Sequence, residues 1–374
     1  MRVIIDYTAA VRQGAGIGRY TRGLVRALAE LDRTNRYVLF SAGRNNEGGW
    51  PANFALCSVP LTDRHLSILW QRLRLPLPIE LRTGCADILH SPDFVLPASL
   101  ARRKVLTVHD LSFMRYPECS SPALLEYLMD AVPRSVARAD VLLADSESTR
   151  ADLVELLHAP AERVVVVYAG VETRFARQPA EAVHAVLDKY KLRQPFILGL
   201  GTLQPRKNYA RLIRAYHQLR REHGVPHQLV IGGGRGWLYE EIDATIAELG
   251  LGEQVRLPGF VDDADLPALY SAADVFAFPS LYEGFGIPIL EAMGCGTPVV
   301  TANASSLPEV AGDAALLVDP NDVPALAHAL WRLIDDVALR DALVARGAAQ
   351  VARFTWQSAA ERLLSVYHET LGQA

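Results

Sequence analysis

The chain of 374 residues contains only four cysteines and four methionines. Cys57, Cys85, Cys119 and Cys295 are scattered, with no CxxC pair. This excludes a disulfide framework or a zinc ribbon and fits reduced thiols in a cytoplasmic protein. There is no surplus of positive charge: 38 Lys and Arg stand against 42 Asp and Glu, a net charge of −4. That argues against nucleic acid as a partner. No apolar run approaches the roughly 18 residues that a membrane-spanning helix needs. The opening MRVIIDYTAA passes from one charge straight into a short strand, not into the apolar core of a secretory signal. No low-complexity tract or fixed-period repeat occurs, so solenoids and disordered chains are excluded.

What is there is 50% hydrophobic, with a mean hydropathy of +0.10, on a chain too long for one ordinary core. Short β-branched runs alternate with helix-period segments throughout, the pattern of parallel sheets built from βαβ units. In the first half the expected strands are Val3–Asp6, Tyr37–Phe40, Ile88–His90, Val105–His109, Val141–Asp145 and Val164–Tyr168. In the second they are Phe196–Leu200, Gln228–Ile231, Val255–Leu257, Val275–Ala277, Val299–Thr301 and Leu316–Val318. Helical patterns such as Arg19–Leu31 and Asn208–Arg221 lie between them. A polar stretch from Glu172 to Gln194 reads as a linker, giving a first domain over 1–175 and a second over 190–357. The expected architecture is two doubly wound α/β domains facing a cleft. Ligands in such sheets bind beyond the carboxyl ends of the strands, so the loops there hold the candidate site.

Three such loops carry chemistry. Gly14, Gly16 and Gly18 follow the first strand, where glycines and a helix amino terminus suit a phosphate. A flexible turn explains them equally well. Arg206 and Lys207 follow Leu200, just where a helix begins. Cations are unfavourable at a helix amino terminus, so an anionic ligand is expected there. In PSLYEGFGIPILEAMGCGTPVV (279–300), Glu283 sits in a loop and Glu291 more than a turn into the following helix. The helix begins near Phe285 and Gly286, between the two carboxylates.

That last segment resembles the signature of the family 4 retaining glycosyltransferases of GT-B fold. The resemblance extends over almost the whole chain. It includes GAGIGRY (14–20), TVHDLSF (107–113), LGLGTLQPRKN (198–208), IGGGRGWLYEEI (231–242), VRLPGFVDDADLPALYSAADVFAFPS (255–280), SSLPEVAGDAALLVDP (305–320) and FTWQSAAERLLSVYHETL (354–371). It implies two Rossmann-like domains, with a final helix over 358–374 packing back on the first. It implies that Arg206 and Lys207 grip the donor diphosphate, Glu291 the ribose, and Glu283 the transferred sugar. Phe285 and Gly286 would touch sugar and phosphates through their backbone, and Gly16 and Gly18 would bring the first domain's loop to the phosphates. His109 would face the donor sugar and act with Glu283 in catalysis, strengthening its contact as positive charge grows on the ring; the alternative is a histidine that serves as a structural hydrogen-bonder at its strand end. Asp110 would orient that loop.

The implied reaction moves a sugar from a nucleotide diphosphate sugar to a glycan or polyprenyl-linked acceptor. No cofactor is expected, and no metal, since no set of metal ligands stands out. The motifs are similar to those of bacterial mannosyltransferases that use GDP-mannose in polysaccharide or lipopolysaccharide assembly. UDP-sugar enzymes share the skeleton, and the loop at Gly259, Phe260 and Val261 would choose between bases. A nicotinamide dehydrogenase lacks support, because Tyr37–Phe40 ends in Ser41, not an acidic residue. A non-catalytic sugar-nucleotide binder is the other alternative, opposed by the intact Glu283, Glu291, Arg206, Lys207 and His109. The cationic, Trp-bearing stretch Arg64–Arg74 suits peripheral contact with the inner face of a membrane, or an ordinary helix on its own sheet.

Overall fold

The computed structural model describes residues 1–14, 16–45 and 47–372; Ala15 of the glycine motif and the final two residues of the expected 358–374 segment lie outside the described residues. The chain forms two compact units. The first comprises residues 1–114, 123–170 and the chain from 355; the second comprises 115–122 and 171–354.

The first unit holds seven parallel strands: β1 (Arg2–Asp6), β2 (Arg36–Ala42), β3 (Phe54–Val59), β4 (Ile88–Ser91), β5 (Arg103–Val108), β6 (Val141–Ala144) and β7 (Val164–Val166). They are ordered β3-β2-β1-β4-β5-β6-β7, so the winding reverses between β1 and β4. Both faces are covered, which is why β1 reads as the unbroken apolar run Val3-Ile4-Ile5, all fully buried. Strand β3 was not among the expected strands. It is the edge strand, and its Ala55 and Leu56 stay exposed while only Phe54 and Val59 are buried, so neither alternation nor a continuous run marks it.

The second unit holds β8 (Phe196–Leu200), β9 (Gln228–Gly232), β10 (Val255–Gly259), β11 (Val275–Phe278), β12 (Val299–Ala302) and β13 (Ala315–Val318). All are parallel, in the order β10-β9-β8-β11-β12-β13, with the reversal between β8 and β11. Its core is closed by the helix Tyr209–His223, whose buried Tyr209, Leu212, Ile213, Tyr216 and Leu219 follow helical spacing along one stripe. Gly224 ends this helix in the left-handed conformation at φ 63°, its N–H bonded to the Arg220 carbonyl.

Two features differ from the expected division. The stretch read as a linker contains the helix Ala180–Tyr190, which buries Val183, Val186 and Leu187 and packs on the helix Leu266–Ala272. Its apolar stripe is only three residues wide, so the surrounding charges disguised it. Residues 115–122 also leave the first unit: the Trp237 indole N–H donates to the Cys119 carbonyl at 2.6 Å, and the Tyr116 and Tyr282 rings lie 6.2 Å apart.

The last helix, Trp356–Gly372, belongs to the first unit and packs on the helix Ile17–Leu31. Trp356 occupies the space over Gly23, and the Tyr20 and Trp356 rings meet edge to face at 5.8 Å. Gly16 caps the Ile17 helix at φ 55° with open space around it. Gly18 is different: a Cβ there would run into the carbonyl oxygens of Gln13 and Ala9. Gly18 is therefore required by packing, whatever it does for a ligand. Gly18→Ala should cost roughly 1–3 kcal/mol through overpacking and lower the melting temperature, whereas Gly14→Ala, with nothing within 4 Å, should not. Equal melting of the two variants in calorimetry would refute this packing role.

Candidate active site

In the second unit the carboxyl ends of β8 and β11 lie side by side at the reversal of strand order, where doubly wound sheets bind ligands. After β8 the chain turns at Gly201 (φ 144°) and passes Leu203, whose backbone bridges to Arg235. It then makes a short 3-10 turn, Pro205–Lys207. Asn208 stops that turn in the left-handed conformation, and its amide donates to the Pro279 carbonyl at 3.0 Å and the Pro320 carbonyl at 2.7 Å. Arg206 and Lys207 are thereby fixed immediately before a helix of 15 residues.

The loop after β11 brings Glu283 to both cations. The Arg206 guanidinium donates to Glu283 Oε2 at 2.9 Å and to the Tyr282 carbonyl at 2.6 Å. Lys207 Nζ donates to Glu283 Oε1 at 2.6 Å and lies 4.8 Å from the centre of the Phe278 ring. All three side chains are less than one-fifth exposed. Burial alone would raise the Glu283 carboxyl, but the charges of Arg206 and Lys207 outweigh it and hold it down at about 2. The stability this ion triad contributes is present above the ordinary carboxylate range and is lost as pH falls towards 2. Two cations against one carboxylate leave the cluster with a net charge of +1.

The Glu283 loop is clamped from β12. Ser305 Oγ accepts the Glu283 N–H at 2.9 Å, and Ser306 Oγ lies 2.9 Å from the Glu283 carbonyl and 2.7 Å from that of Phe285. Phe285 is buried against Phe354, with ring centres 5.5 Å apart. Gly286 caps the helix Ile287–Gly294 at φ 110°, and a side chain there would press on Leu307. Glu291 lies further along that helix. It is completely buried, and the Tyr270 hydroxyl donates to its Oε2 at 2.9 Å. Helical spacing set its distance along the helix from Glu283 but not its depth. Glu291→Ala would therefore leave the Tyr270 hydroxyl short of an acceptor, a folding cost of about 1–3 kcal/mol, and not act on a donor alone.

In the first unit His109 follows β5 and is 7% exposed. Its Nδ1 lies 2.7 Å from Asp145 Oδ2, beyond β6, and its Nε2 lies 3.0 Å from the Pro92 carbonyl, beyond β4. The Pro92 carbonyl can only accept, so Nε2 carries a proton, and an ionised Asp145 places a second on Nδ1. Burial alone would lower the imidazole, but Asp145 and Asp93 outweigh it and raise His109 to about 9. An imidazolium with both N–H groups engaged cannot strengthen a contact to a ring that is becoming positive. Tyr20, two residues beyond Gly18, sets its ring edge to face on His109 at 4.8 Å. Asp110 accepts the Ser112 N–H at 2.8 Å and so orients the loop.

The structure thus brings together Arg206, Lys207 and Glu283, with Phe285 and Gly286 in the same loop, and keeps Glu291 apart in the interior. Asn208, Ser305, Ser306 and Asp145 were missed as supporting residues. The one available signal was their position at predicted strand ends.

The family model described as glycosyl transferases group 1 matches residues 187–350, and that of glycosyltransferase family 4 matches residues 14–175. The O-antigen chain mannosyltransferase B of Escherichia coli is 38% identical over 367 residues, covering 94% of this chain and 95% of that protein. The serotype-specific mannosyltransferase WbdA of Escherichia coli is 34% identical over 302 residues, 76% of this chain but 37% of that longer protein. Sucrose-phosphate synthase from Thermosynechococcus elongatus shares the fold with a TM-score of 0.78 at 22% identity, over the full length of both chains. Anabaena HepE in complex with UDP-glucose does so at 0.74 and 20% identity, over 98% of this chain and 99% of that one. The chain belongs to the family 4 glycosyltransferases and has their GT-B fold.

Since Glu283 neutralises one of the two cations, an anion entering the cluster competes with it. Glu283→Gln should melt lower than wild type, because stranding a buried charge costs about 3–5 kcal/mol. Inorganic pyrophosphate should then raise the melting temperature of the variant more than that of wild type. Equal stabilisation of both proteins would show that Glu283 does not compete with the anion.

Proposed function

We propose that this glycosyltransferase moves mannose from GDP-mannose onto a glycan or polyprenyl-linked acceptor in O-antigen-type polysaccharide assembly, with retention of configuration and without a metal. The observation that carries the mannosyl assignment is the identity of 38% with the O-antigen chain mannosyltransferase B, sustained over 94% of the chain. The chemistry rests on the cation pair. The bond to be broken joins the anomeric carbon to a diphosphate oxygen, and negative charge grows on that oxygen as the bond lengthens. Arg206 offers a planar fork and Lys207 a compact charge for it, and the helix starting at Tyr209 adds the positive end of its dipole. When the diphosphate takes the two cations, Glu283 gives up those bonds and becomes free to accept hydrogen bonds from sugar hydroxyls.

Retention is the outcome that the family resemblance implies. An inverting enzyme uses a side-chain base behind the anomeric carbon, and His109, with a proton on each nitrogen, cannot be that base. In the retaining reaction the acceptor oxygen bonds to the anomeric carbon on the face that the phosphate leaves. The acceptor proton passes to a phosphate oxygen, so bonds and charges balance without a protein base.

The membrane reading moves along the chain. Leu66 is buried, Leu69 and Trp70 pack on the first unit's core, and the Trp70 indole donates to the Leu77 carbonyl at 2.8 Å. The apolar surface lies further on, at Leu73 (58% exposed), Leu77 and Leu81 (71% exposed), interspersed with exposed Arg72, Arg74 and Arg82. Among the described residues no helix is long and apolar enough to cross a membrane. Salt-sensitive sedimentation with anionic liposomes, weakened by Leu73→Ser with Leu81→Ser, is the expected result, and no binding at low salt removes the idea.

The central experiment offers a panel of GDP- and UDP-sugars, reads nucleotide release and product together, and determines the new linkage by proton NMR. GDP-mannose should be turned over fastest, in excess EDTA, with the donor's anomeric configuration kept. Arg206→Ala or Lys207→Ala should each lower turnover by roughly thirty-fold to several-thousand-fold, corresponding to about 2–5 kcal/mol for one partner of a desolvated charge pair. A preferred UDP-sugar overturns the donor assignment. An inverted product, or activity lost to chelation and restored by manganese, overturns the mechanism.

A further inference from the structure

The strand order of the first unit places the ends of β4, β5 and β6 next to one another. One ring ties all three ends together. His109, after β5, meets the Pro92 carbonyl after β4 through Nε2 at 3.0 Å and Asp145 after β6 through Nδ1 at 2.7 Å. Thr149 adds a further tie, its hydroxyl donating to the His109 carbonyl at 3.1 Å. The pocket around the ring is closed by Tyr20 and Phe94, whose rings stand edge to face on it at 4.8 and 5.4 Å.

We propose that Asp145 is a positioning residue for sugar transfer: it keeps His109 as the doubly donating ring that staples the β4, β5 and β6 loops, so that loss of one ring proton releases the loops and stops transfer. This rests on the glycosyl-transfer reading, which it deepens by naming how the first unit's loops are held. The number of ring donors decides whether the loops hold. A neutral imidazole donates once. If the proton stays on Nδ1 for Asp145, a bare Nε2 lone pair faces the Pro92 oxygen at 3.0 Å, and two acceptors at that distance repel. The loop after β4 must then move. Asp145 determines when this happens, because its carboxylate is buried with the ring at 5% exposure, where charge interactions are little screened.

The groups facing the ring are consistent with a persistent charge. Asp93 after β4 adds a second favourable carboxylate. His90 on β4 is held neutral, first by burial and then by the charge of His109, and spends its nitrogens on the Tyr367 hydroxyl at 2.7 Å and the Thr107 hydroxyl at 2.9 Å. Burial raises the Asp145 carboxyl, His109 pulls it down and Asp110 opposes its ionisation, while Tyr20 stays protonated through burial. With His109 raised to about 9, the staple is complete below the ordinary imidazole range and is lost as pH rises through about 9.

The test uses the full-length protein. Nitrogen-15 NMR should show the His109 ring doubly protonated at pH 8, and kcat for transfer from GDP-mannose should stay level to pH 8 and fall near pH 9. Asp145→Asn keeps the shape and an acceptor but removes the charge. It should move the alkaline fall of kcat to lower pH by roughly one unit or more, leave the donor KM within about twofold, and be partly rescued by Asp145→Glu. An unshifted alkaline limb in a folded Asp145→Asn protein overturns the proposal. So does a His109 ring in the wild type that is neutral at pH 8, a measurement that needs no variant to fold. A ring that titrates as expected in a protein that transfers no sugar leaves the staple standing and refutes the functional reading.

Discussion

The second unit depends on one interaction, the carboxylate of Glu283 held between Arg206 and Lys207. Two cations on adjacent residues, mostly withdrawn from water, repel and lose hydration. At an effective dielectric of about 20, two unit charges 4 Å apart interact by about 4 kcal/mol, enough to unmake the turn that holds them. The carboxylate comes from a loop 76 residues further along the chain, so only the pairing of β8 with β11 brings it within reach. The sheet order thereby sets the electrostatics of this turn. Asn208 fixes the cations to the β11 and β13 ends, while Ser305 and Ser306 fix the carboxylate from the β12 end.

Such a cluster would hold its loops together without a ligand and, under the proposed function, still favour an anion. Complete neutralisation would leave nothing for a diphosphate to seek, and no neutralisation would leave the empty protein strained. One carboxylate for two cations lies between these limits. Under the proposed function, ligand entry would be an exchange of partners: a diphosphate would replace Glu283 on the cations and release it towards the sugar. Binding and orientation of the sugar would then be coupled through the same three side chains.

The sequence was informative where physics acts locally. Buried parallel strands require continuous apolar runs, and twelve of the thirteen strands could be placed from those runs; the exception, β3, lies on an edge where exposure is mixed. Cations at a helix start and a glutamate in a glycine loop were also legible, because each is unfavourable without a ligand or a partner. Depth was not legible. The spacing from Glu283 to Glu291 specifies a helix and a rotation, yet whether Glu291 meets solvent or Tyr270 depends on a neighbouring helix that no local pattern reveals. Long-range partnership was equally hidden. Asp145 lies 36 residues from His109, and nothing around either residue marks them as a pair. The same holds for the supposed linker, where Val183, Val186 and Leu187 form a stripe too narrow to stand out from its charged surroundings.

The two units solve opposite charge problems by the same means. In the second, one carboxylate lies between two cations; in the first, one imidazolium is flanked by the carboxylates of Asp145 and Asp93. Each arrangement fails at a different end of the pH scale. The first unit's ring loses its proton as pH rises through about 9, and the second unit's carboxylate gains one only as pH falls towards about 2. Between about 6, where burial makes Asp93 gain its proton, and about 9, both clusters keep the charges that justify their burial. On raising the pH, loss of order should therefore begin in the first unit, at the loops joined by His109, while the ion triad of the second unit remains intact.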